Sequence, residues 1–297
     1  MNHPLSPENG PPGPFPRPMA GAHRQAELRV PTPKLRLSAL RSQLSASSSP
    51  PMIRRLQRAG RVVLYWLSWL VFLCVGLALN VVCAPLLLLP QRERYGPAVR
   101  RVIRALFSGW CRWHAATGVI AVEFVGFDRP LPSGTVVIAN HPTITDATFL
   151  LARLPDAFCI FKPALMRHPA IGPAALMGGY VSGDFGVDLI RDVAVRIAAG
   201  RTLLLFPEGT RTAAGRTLGP LNSGFALIAA RAHAPVQLVV IRAAPDLGRK
   251  GVPWWHPPSR LPAGIQFTLD QRWEHDPARS VRDLTAAVEQ RLRTVLA

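Results

Sequence analysis

The sequence predicts an α/β fold, a mostly parallel sheet flanked by helices, with an N-terminal membrane-associated helical segment. Short apolar runs alternate with helical periodicity between residues 118 and 297, and this alternation favours parallel strands joined by helical crossovers. Residues 62–89 are almost wholly apolar and uncharged, which is the composition of a membrane segment. Two polar clusters directly follow predicted strands, where open α/β sheets place their ligand sites.

The composition divides the chain into three parts. Residues 1–51 are rich in Pro, Ser and Arg and nearly free of aromatic residues, so they bury too little apolar surface to offset the entropy of ordering. We predict a disordered N-terminal extension over residues 1–51, membrane-associated helices over 52–117 and a catalytic domain over 118–297.

The charge balance restricts the partners. The chain carries 35 Lys and Arg against 17 Asp and Glu, a formal net charge of +18, which favours nucleic acid or an anionic membrane surface. The charge is spread along the chain and no groove-reading module is recognisable, so we expect no nucleic-acid partner. The four cysteines are scattered without zinc or redox spacing, and we predict neither a metal nor a disulfide.

The apolar run has an unusual charge environment. About 20 apolar residues suffice to cross a bilayer, and residues 62–89 exceed that length. Arg residues flank the run on both sides, whereas positive charge prefers the cytoplasmic side. We therefore predict a helix pair or re-entrant segment that bends at Asn80 and Pro85. The expected location is a membrane, at the cytoplasmic face of a bacterial inner membrane.

The next segment, residues 97–117, has apolar residues at helical spacing and Arg residues on its other faces. This is a basic amphipathic helix with aromatic residues, which suits an anionic membrane surface. The same pattern also fits a helix that packs on the catalytic domain, and both interpretations stay open.

Strands and helices then alternate. The predicted strands cover residues 120–125, 135–139, 157–161, 202–206 and 236–241. Between the predicted strands at 157–161 and 202–206, apolar residues recur at helical spacing. This segment ends at Gly200, and glycine is a typical residue directly after a helix. The last helix begins near Ser280, with Asp283 three residues later as in a capping box.

The first polar cluster follows the strand at 135–139. It reads Asn140-His141-Pro142-Thr143-Ile144-Thr145-Asp146. Because residues five apart point away from each other in a regular helix, His141 and Asp146 meet only if His141 precedes the helix, with Pro142 at its first position. A carboxylate beside His141 fixes the imidazole tautomer and makes the ring a suitable general base for a hydroxyl. Standing alone, this pair also fits a surface histidine near a helix cap.

The second polar cluster follows the strand at 202–206. It reads Phe206-Pro207-Glu208-Gly209-Thr210-Arg211. Gly209 in a turn lets the backbone approach an anion, and Arg211 is a bidentate phosphate donor. Glu208 suits a role in orienting Arg211 or in binding a polar head group. A polar surface turn with a structural ion pair is the simpler alternative.

Together, the two clusters resemble the glycerolipid acyltransferase family of the 1-acylglycerol-3-phosphate acyltransferase type. That family carries His-x4-Asp, usually after Asn, and then a Phe-Pro-Glu-Gly-Thr-Arg-like motif, and the resemblance extends over about 119–242. It implies an α/β domain in which His141 is the base and Asp146 its partner. The resemblance also implies substrate-binding residues, which would be Lys162, Glu208, Gly209, Thr210 and Arg211. No metal, cofactor or covalent acyl-enzyme is expected.

The resemblance implies an O-acyltransferase of phospholipid biosynthesis. Its partners would be membrane lipid and acyl-CoA or acyl-carrier protein as co-substrate, with a lysophosphatidic acid or related lysophospholipid as acceptor. Relatives often have basic residues where this chain has Asp184 and Asn222-Ser223, which favours a less anionic acceptor. The subgroup that accompanies aryl polyene biosynthesis is similar around Pro142 and Tyr180. Acyl transfer to a non-glycerolipid acceptor and a non-catalytic membrane-surface protein are the alternatives.

Overall fold

The computed structural model describes residues 51–169, 171–183, 187–244 and 246–297. The predicted disordered extension lies outside the described residues up to position 50. Asp184, at which the sequence departs from the family pattern, also lies outside them.

Eight α-helices, one short 3-10 helix (Arg92–Tyr95) and seven strands are present in the described residues. The helices are α1 (Pro51–Leu86), α2 (Gly96–Thr117), α3 (Asp146–Arg153), α4 (Pro163–Met166), α5 (Gly172–Met177), α6 (Val187–Ala198), α7 (Gly224–Ala232) and α8 (Val281–Leu296). The strands are β1 (Ile120–Val125), β2 (Val136–Ala139), β3 (Ala157–Phe161), β4 (Val181–Ser182), β5 (Thr202–Leu205), β6 (Val236–Ala243) and β7 (Ala263–Trp273). The five predicted strands are all present, with ends that differ by at most two residues.

One seven-stranded sheet organises the domain, in the order β1-β7-β6-β2-β5-β3-β4. The five adjacent strands β6, β2, β5, β3 and β4 are parallel to one another, which confirms the predicted mostly parallel α/β fold. The sequence interpretation missed β7, which is antiparallel to β6 and parallel to β1. It also missed β4, which has only two residues.

Helices cover both faces of the sheet. All four residues of β2 are buried, as expected for a central parallel strand with helices on either side. Its alternate side chains enter two separate apolar clusters, with Val137 and Ala139 towards α1, α2 and α3 and Val136 and Ile138 towards α6, α7 and α8. The domain is therefore a three-layer α/β/α arrangement.

The N-terminal helices correct one prediction. Helix α1 runs without a break through Asn80 and contains Pro85 only in its last turn, so the predicted bend at these two residues is wrong. Asn80 instead bonds inside the structure: its side-chain oxygen accepts a hydrogen bond from the Ala174 N–H of α5 at 2.8 Å. A polar side chain that is satisfied in this way does not interrupt the helix.

The chain turns after α1, and α2 returns along it. The indole of Trp110 in α2 donates to the Ser68 carbonyl of α1, and the Phe107 ring stacks on Phe72, so the two helices run in opposite directions. Helix α2 also packs on the catalytic domain, because the Arg104 guanidinium and the Ser108 hydroxyl both donate to the Ala152 carbonyl. The domain-packing interpretation of this segment therefore holds in the structure.

Helix α1 is the one described helix that is long and apolar enough to cross a membrane by length and composition. Only 17% of its most apolar window is buried in the protein, whereas a core helix of a soluble protein is mostly buried. Its large exposed side chains include Val63, Trp66, Leu70 and Val81.

Two helix ends, the start of α8 and the end of α6, follow the local rules that the sequence predicted. The Ser280 hydroxyl accepts a hydrogen bond from the Asp283 N–H and donates to its carboxylate, which is a capping interaction at the start of α8. Gly200, after α6, has φ +90°, a conformation that glycine adopts without a steric penalty.

Candidate active site

The carboxyl ends of four parallel strands bring the polar clusters together. His141 lies just beyond β2, Glu208 beyond β5, Lys162 beyond β3 and Gly248 beyond β6. Because β6, β2, β5 and β3 are consecutive in the sheet, their following loops meet at one edge. Open α/β sheets bind ligands at this edge.

His141 and Asp146 are in direct contact. The His141 Nδ1 and Asp146 Oδ2 atoms are 2.8 Å apart. His141 precedes α3 and Asp146 is its first residue, so the pair forms across the loop between strand and helix, as the spacing required. The expectation that Pro142 begins the helix is wrong, since α3 begins four residues later.

Asp146 is held by more than the imidazole. Its side chain has no exposed surface; its Oδ1 accepts from the Thr143 hydroxyl at 2.6 Å, and its Oδ2 accepts from the Thr143 N–H at 2.8 Å. The Thr143 hydroxyl is in turn 2.9 Å from that of Thr145. Burial raises the pKa of the Asp146 carboxyl, and the hydrogen bonds from His141 and Thr143 oppose that shift.

The imidazole is restrained on its face as well as at Nδ1. The Phe206 ring stacks on His141, with 4.1 Å between the ring centroids and 19° between the planes. The His141 side chain is 19% exposed, so the ring reaches the surface while its Nδ1 edge faces Asp146. This leaves Nε2 as the nitrogen that is directed away from the carboxylate.

The second motif holds the His141 backbone on both sides. Glu208 Oε1 accepts from the His141 N–H at 2.9 Å, and the Thr212 N–H donates to the His141 carbonyl at 2.8 Å. Glu208 is buried and also accepts from the Thr212 hydroxyl and the Gly219 N–H. Glu208 therefore holds the His141 backbone, and none of its described hydrogen bonds reaches Arg211. The predicted role of Glu208 in binding a polar head group stays a prediction.

Arg211 reaches across to the loop after β6. Its Nη1 donates to the Gly248 carbonyl at 3.0 Å and to the Arg249 carbonyl at 3.1 Å. The Ile144 N–H, in the first motif, donates to the same Gly248 carbonyl at 3.0 Å. Gly248 therefore joins both motifs to a segment that the sequence interpretation did not include.

The other predicted substrate residues lie around this centre. Lys162 is exposed at the end of β3, and Thr210 is exposed in the turn of the second motif. Gly209 has φ +64°, which the tight turn requires and which favours glycine. None of these three contacts His141 or Asp146 among the described hydrogen bonds, so their substrate-binding role stays a prediction.

Several site residues escaped the sequence interpretation. Thr143, Thr145 and Phe206 lie inside the quoted motifs, but their side-chain roles depend on the local backbone path. Thr212 and Gly248 act through backbone or short side-chain contacts over long sequence distances, for which the sequence holds no periodic signal.

Comparisons with known proteins find similar sequences and a similar fold. The family model described as Acyltransferase matches residues 122–242, which include both motifs. A 1-acyl-sn-glycerol-3-phosphate acyltransferase of Helicobacter pylori is 28% identical over 131 residues, which are 42% of this chain and 54% of that relative. The match thus spans about half the length of the curated relative.

A solved structure shares the fold. The crystal structure of the 1-acyl-sn-glycerophosphate (LPA) acyltransferase PlsC from Thermotoga maritima superposes with a TM-score of 0.59 at 20% sequence identity. The superposition covers 82% of this chain and 97% of the other. At this identity the likeness shows the shared fold, including its N-terminal helices. The chemistry has to be argued from the residues of the site.

Proposed function

Because residues 122–242 match the acyltransferase family model, we propose that the chain transfers a fatty acyl group from acyl-CoA or acyl-carrier protein to a hydroxyl of lysophosphatidic acid or a related lysophospholipid. The observation that carries this proposal is the 2.8 Å contact between His141 Nδ1 and a fully buried Asp146. A histidine held in this way, at the carboxyl edge of a parallel sheet, suits a general base.

The first step is attack on the thioester. Asp146 accepts a hydrogen bond from the Nδ1–H of His141, which fixes the tautomer whose Nε2 is unprotonated and able to accept a proton. Nε2 takes the proton of the acceptor hydroxyl while that oxygen forms a bond to the thioester carbonyl carbon. The buried carboxylate stabilises the imidazolium that results.

The second step is collapse of the tetrahedral intermediate. The C–S bond breaks, and the Nε2 proton of His141 passes to the leaving thiolate. The products are the acylated lipid and the free thiol of the carrier, and His141 returns to its starting tautomer. The reaction is balanced without a cofactor or a covalent acyl-enzyme.

Residues of the second motif and its neighbour Thr212 hold His141 in place for this reaction. Glu208 and Thr212 hold the His141 backbone, and Phe206 packs against the ring face, so the base loses little freedom when substrate binds. Preorganisation of this kind lowers the entropic cost of reaching the reactive geometry. Arg211 and Lys162 are the cations that we assign to the acceptor's phosphate.

A membrane location follows from the same proposal. Lysophospholipids reside in bilayers, and α1 presents exposed apolar side chains along a length sufficient to cross one. We place the protein at the cytoplasmic face of a bacterial inner membrane, where acyl-CoA and acyl-carrier protein are available. The Arg residues beside α1 suit anionic lipid there.

The test is acyl transfer by the detergent-purified protein and its His141→Ala variant. Labelled acyl-CoA and acyl-carrier protein are each offered with lysophosphatidic acid, other lysophospholipids, glycerol 3-phosphate and monoacylglycerol. We expect product from the wild type and a loss of about 10²–10⁴-fold or more in the variant, the usual contribution of a general base.

A matched control removes another histidine far from the site. His275 lies beyond β7, which ends at the opposite edge of the sheet, and its ring contacts His233. His275→Ala is expected to retain wild-type transfer. Equal turnover by His141→Ala and the wild type would show that His141 is not the base, and a wild type without product on any acceptor would refute the proposed activity.

A further inference from the structure

The loop after β6 is fixed to both catalytic motifs. Gly248 is buried, and its carbonyl accepts hydrogen bonds from Ile144 of the first motif and Arg211 of the second. A Cβ atom at Gly248, which has φ +55°, would lie 2.8 Å from the Ile144 side chain. Only glycine allows so close an approach with this backbone conformation.

The other end of the same loop is fixed to the apolar helix. The Tyr65 hydroxyl of α1 donates to the Trp254 carbonyl at 2.6 Å, and the Trp66 indole donates to the Trp255 carbonyl at 2.8 Å. The loop is therefore a defined part of the site, held between α1 and the catalytic motifs.

Two cations follow Gly248 directly. Arg249 is partly buried and Lys250 is exposed, and the Arg249 carbonyl is 3.1 Å from Arg211 Nη1. The structure records no ion pair for either side chain within the part of the chain that it describes. Glu208, the carboxylate of the neighbouring motif, is already saturated by His141, Thr212 and Gly219.

Arg249 and Lys250 therefore add two positive charges to the loop that Arg211 contacts. The family resemblance implies basic residues near positions 184 and 223, which this sequence lacks, and a phosphate acceptor favours positive charge beside Arg211. Arg211 extends from β5 across the β2 loop towards β6, which directs its guanidinium to the side where Arg249 and Lys250 begin.

We propose that Arg249 and Lys250 bind the phosphate of the acyl acceptor together with Arg211. This inference rests on the proposed function, and the ligand class is a lipid with a phosphate monoester head group. The loop after β6 thus compensates for the missing cations, and the chain keeps a preference for an anionic acceptor.

The experiment compares Arg249→Ala/Lys250→Ala with the wild type as full-length protein in detergent micelles. The two readouts are steady-state transfer and equilibrium binding of labelled lysophosphatidic acid, which does not require turnover. We expect the KM and the Kd for lysophosphatidic acid to rise at least about tenfold, the factor that corresponds to a lost charge-assisted hydrogen bond. The kcat, the KM for the thioester and any transfer to monoacylglycerol stay near wild type.

Two further variants test whether the charge at positions 249 and 250, rather than the net charge of the protein, determines binding. Arg231→Ala/Arg282→Ala removes the same charge from exposed positions of α7 and α8 and is expected to leave the KM unchanged. Arg249→Lys/Lys250→Arg keeps both charges and is expected to bind lysophosphatidic acid within about threefold of wild type. Loss in this swap equal to the Ala variant would overturn the proposal, because charge would not be the cause.

The outcomes distinguish this inference from the proposed function. Normal turnover by the wild type with unchanged KM and Kd in the Ala variant would refute the phosphate site alone. Absence of turnover in the wild type would refute the transfer activity, while the binding measurement would still decide whether Arg249 and Lys250 hold the phosphate.

Discussion

His141 and His114 are two histidines beside aromatic rings in very different surroundings. His141 stacks on Phe206, bonds Asp146 through Nδ1 and keeps 19% of its side chain exposed. His114, in α2, has no exposed surface and lies 4.5 Å from the Trp110 ring centroid. Neither ring nitrogen of His114 has a hydrogen-bond partner in the described structure.

The difference shows that burial alone does not create a base. Burial lowers the pKa of His114 to about 4, since no nearby carboxylate compensates for the lost solvation of the charged ring. His114 is therefore neutral at physiological pH and serves as an apolar ring of the α2 interface. His141 differs by its carboxylate partner and its partly exposed ring, the two features that its proposed role as a base requires.

The largest expected effect comes from removing the charge of that partner. Asp146→Asn keeps the side-chain shape but can donate an N–H towards His141 Nδ1. The imidazole then carries its proton on Nε2 and no longer accepts one from the substrate. We expect kcat to fall about 10²–10⁴-fold with little change in KM for the lipid, as measured by steady-state acyl transfer.

An exposed aspartate supplies the control for this change. Asp192 lies on the exposed side of α6, and Asp192→Asn is expected to leave kcat unchanged. Thermal unfolding of both variants shows whether each is folded. If the Asp146→Asn protein is folded and its kcat is close to wild type, the carboxylate partner is not what distinguishes His141 from His114.

The second expected effect is the pH dependence of the free energy of unfolding that His114 causes. Between its ordinary pKa of 6.5 and its folded value of about 4, His114 binds a proton in the unfolded chain but not in the folded one. Stability therefore falls as pH falls through this window, by about 1.4 kcal/mol per pH unit and roughly 3 kcal/mol in total. The pH dependence of the urea unfolding midpoint measures this loss.

His114→Phe removes the titrating ring while keeping an aromatic side chain. We expect the free energy of unfolding of this variant to fall less between pH 6.5 and 4, because the contribution of His114 is absent. His256→Phe, at an exposed position, should keep the wild-type pH dependence. An unchanged slope between pH 6.5 and 4 in His114→Phe would mean that the unfolding reaction does not protonate this residue.

The sequence contained much of the fold and part of the site. Apolar periodicity predicted five of the seven described strands, and the residue pattern predicted the cap at Ser280, because these signals lie within a few neighbouring residues. The strand β7 was missed although residues 265–270 alternate apolar and polar side chains, a period of two that is typical of a half-buried strand.

The site was predictable where its members are close in sequence. His141 and Asp146 were paired from their spacing, and their contact exists, although α3 begins later than expected. The role of Glu208 was not predictable, because its partner is the backbone of His141, 67 residues away. Backbone contacts of this kind do not depend on residue type, so they leave no pattern in one sequence.

The smallest effect tests how the Asp146 charge is held. Thr143→Val removes the hydroxyl that donates to Asp146 Oδ1 at 2.6 Å and leaves the side-chain volume nearly unchanged. Loss of one hydrogen bond to an ionised group is worth about 1.5–3 kcal/mol, part of which is shared with folding, so we expect kcat to fall about tenfold. The pKa of Asp146, already raised by burial, rises further without this donor.

The pH profile separates this cause from a general loss of packing. Because Asp146 must be ionised to hold the His141 tautomer, the acid limb of the kcat profile should move to higher pH in Thr143→Val. Thr285→Val removes a hydroxyl that bonds the Val281 carbonyl within α8 and should leave the limb in place. A tenfold lower kcat with an unshifted limb would instead assign Thr143 to loop structure, and Asp146 would then hold His141 without help from its neighbour.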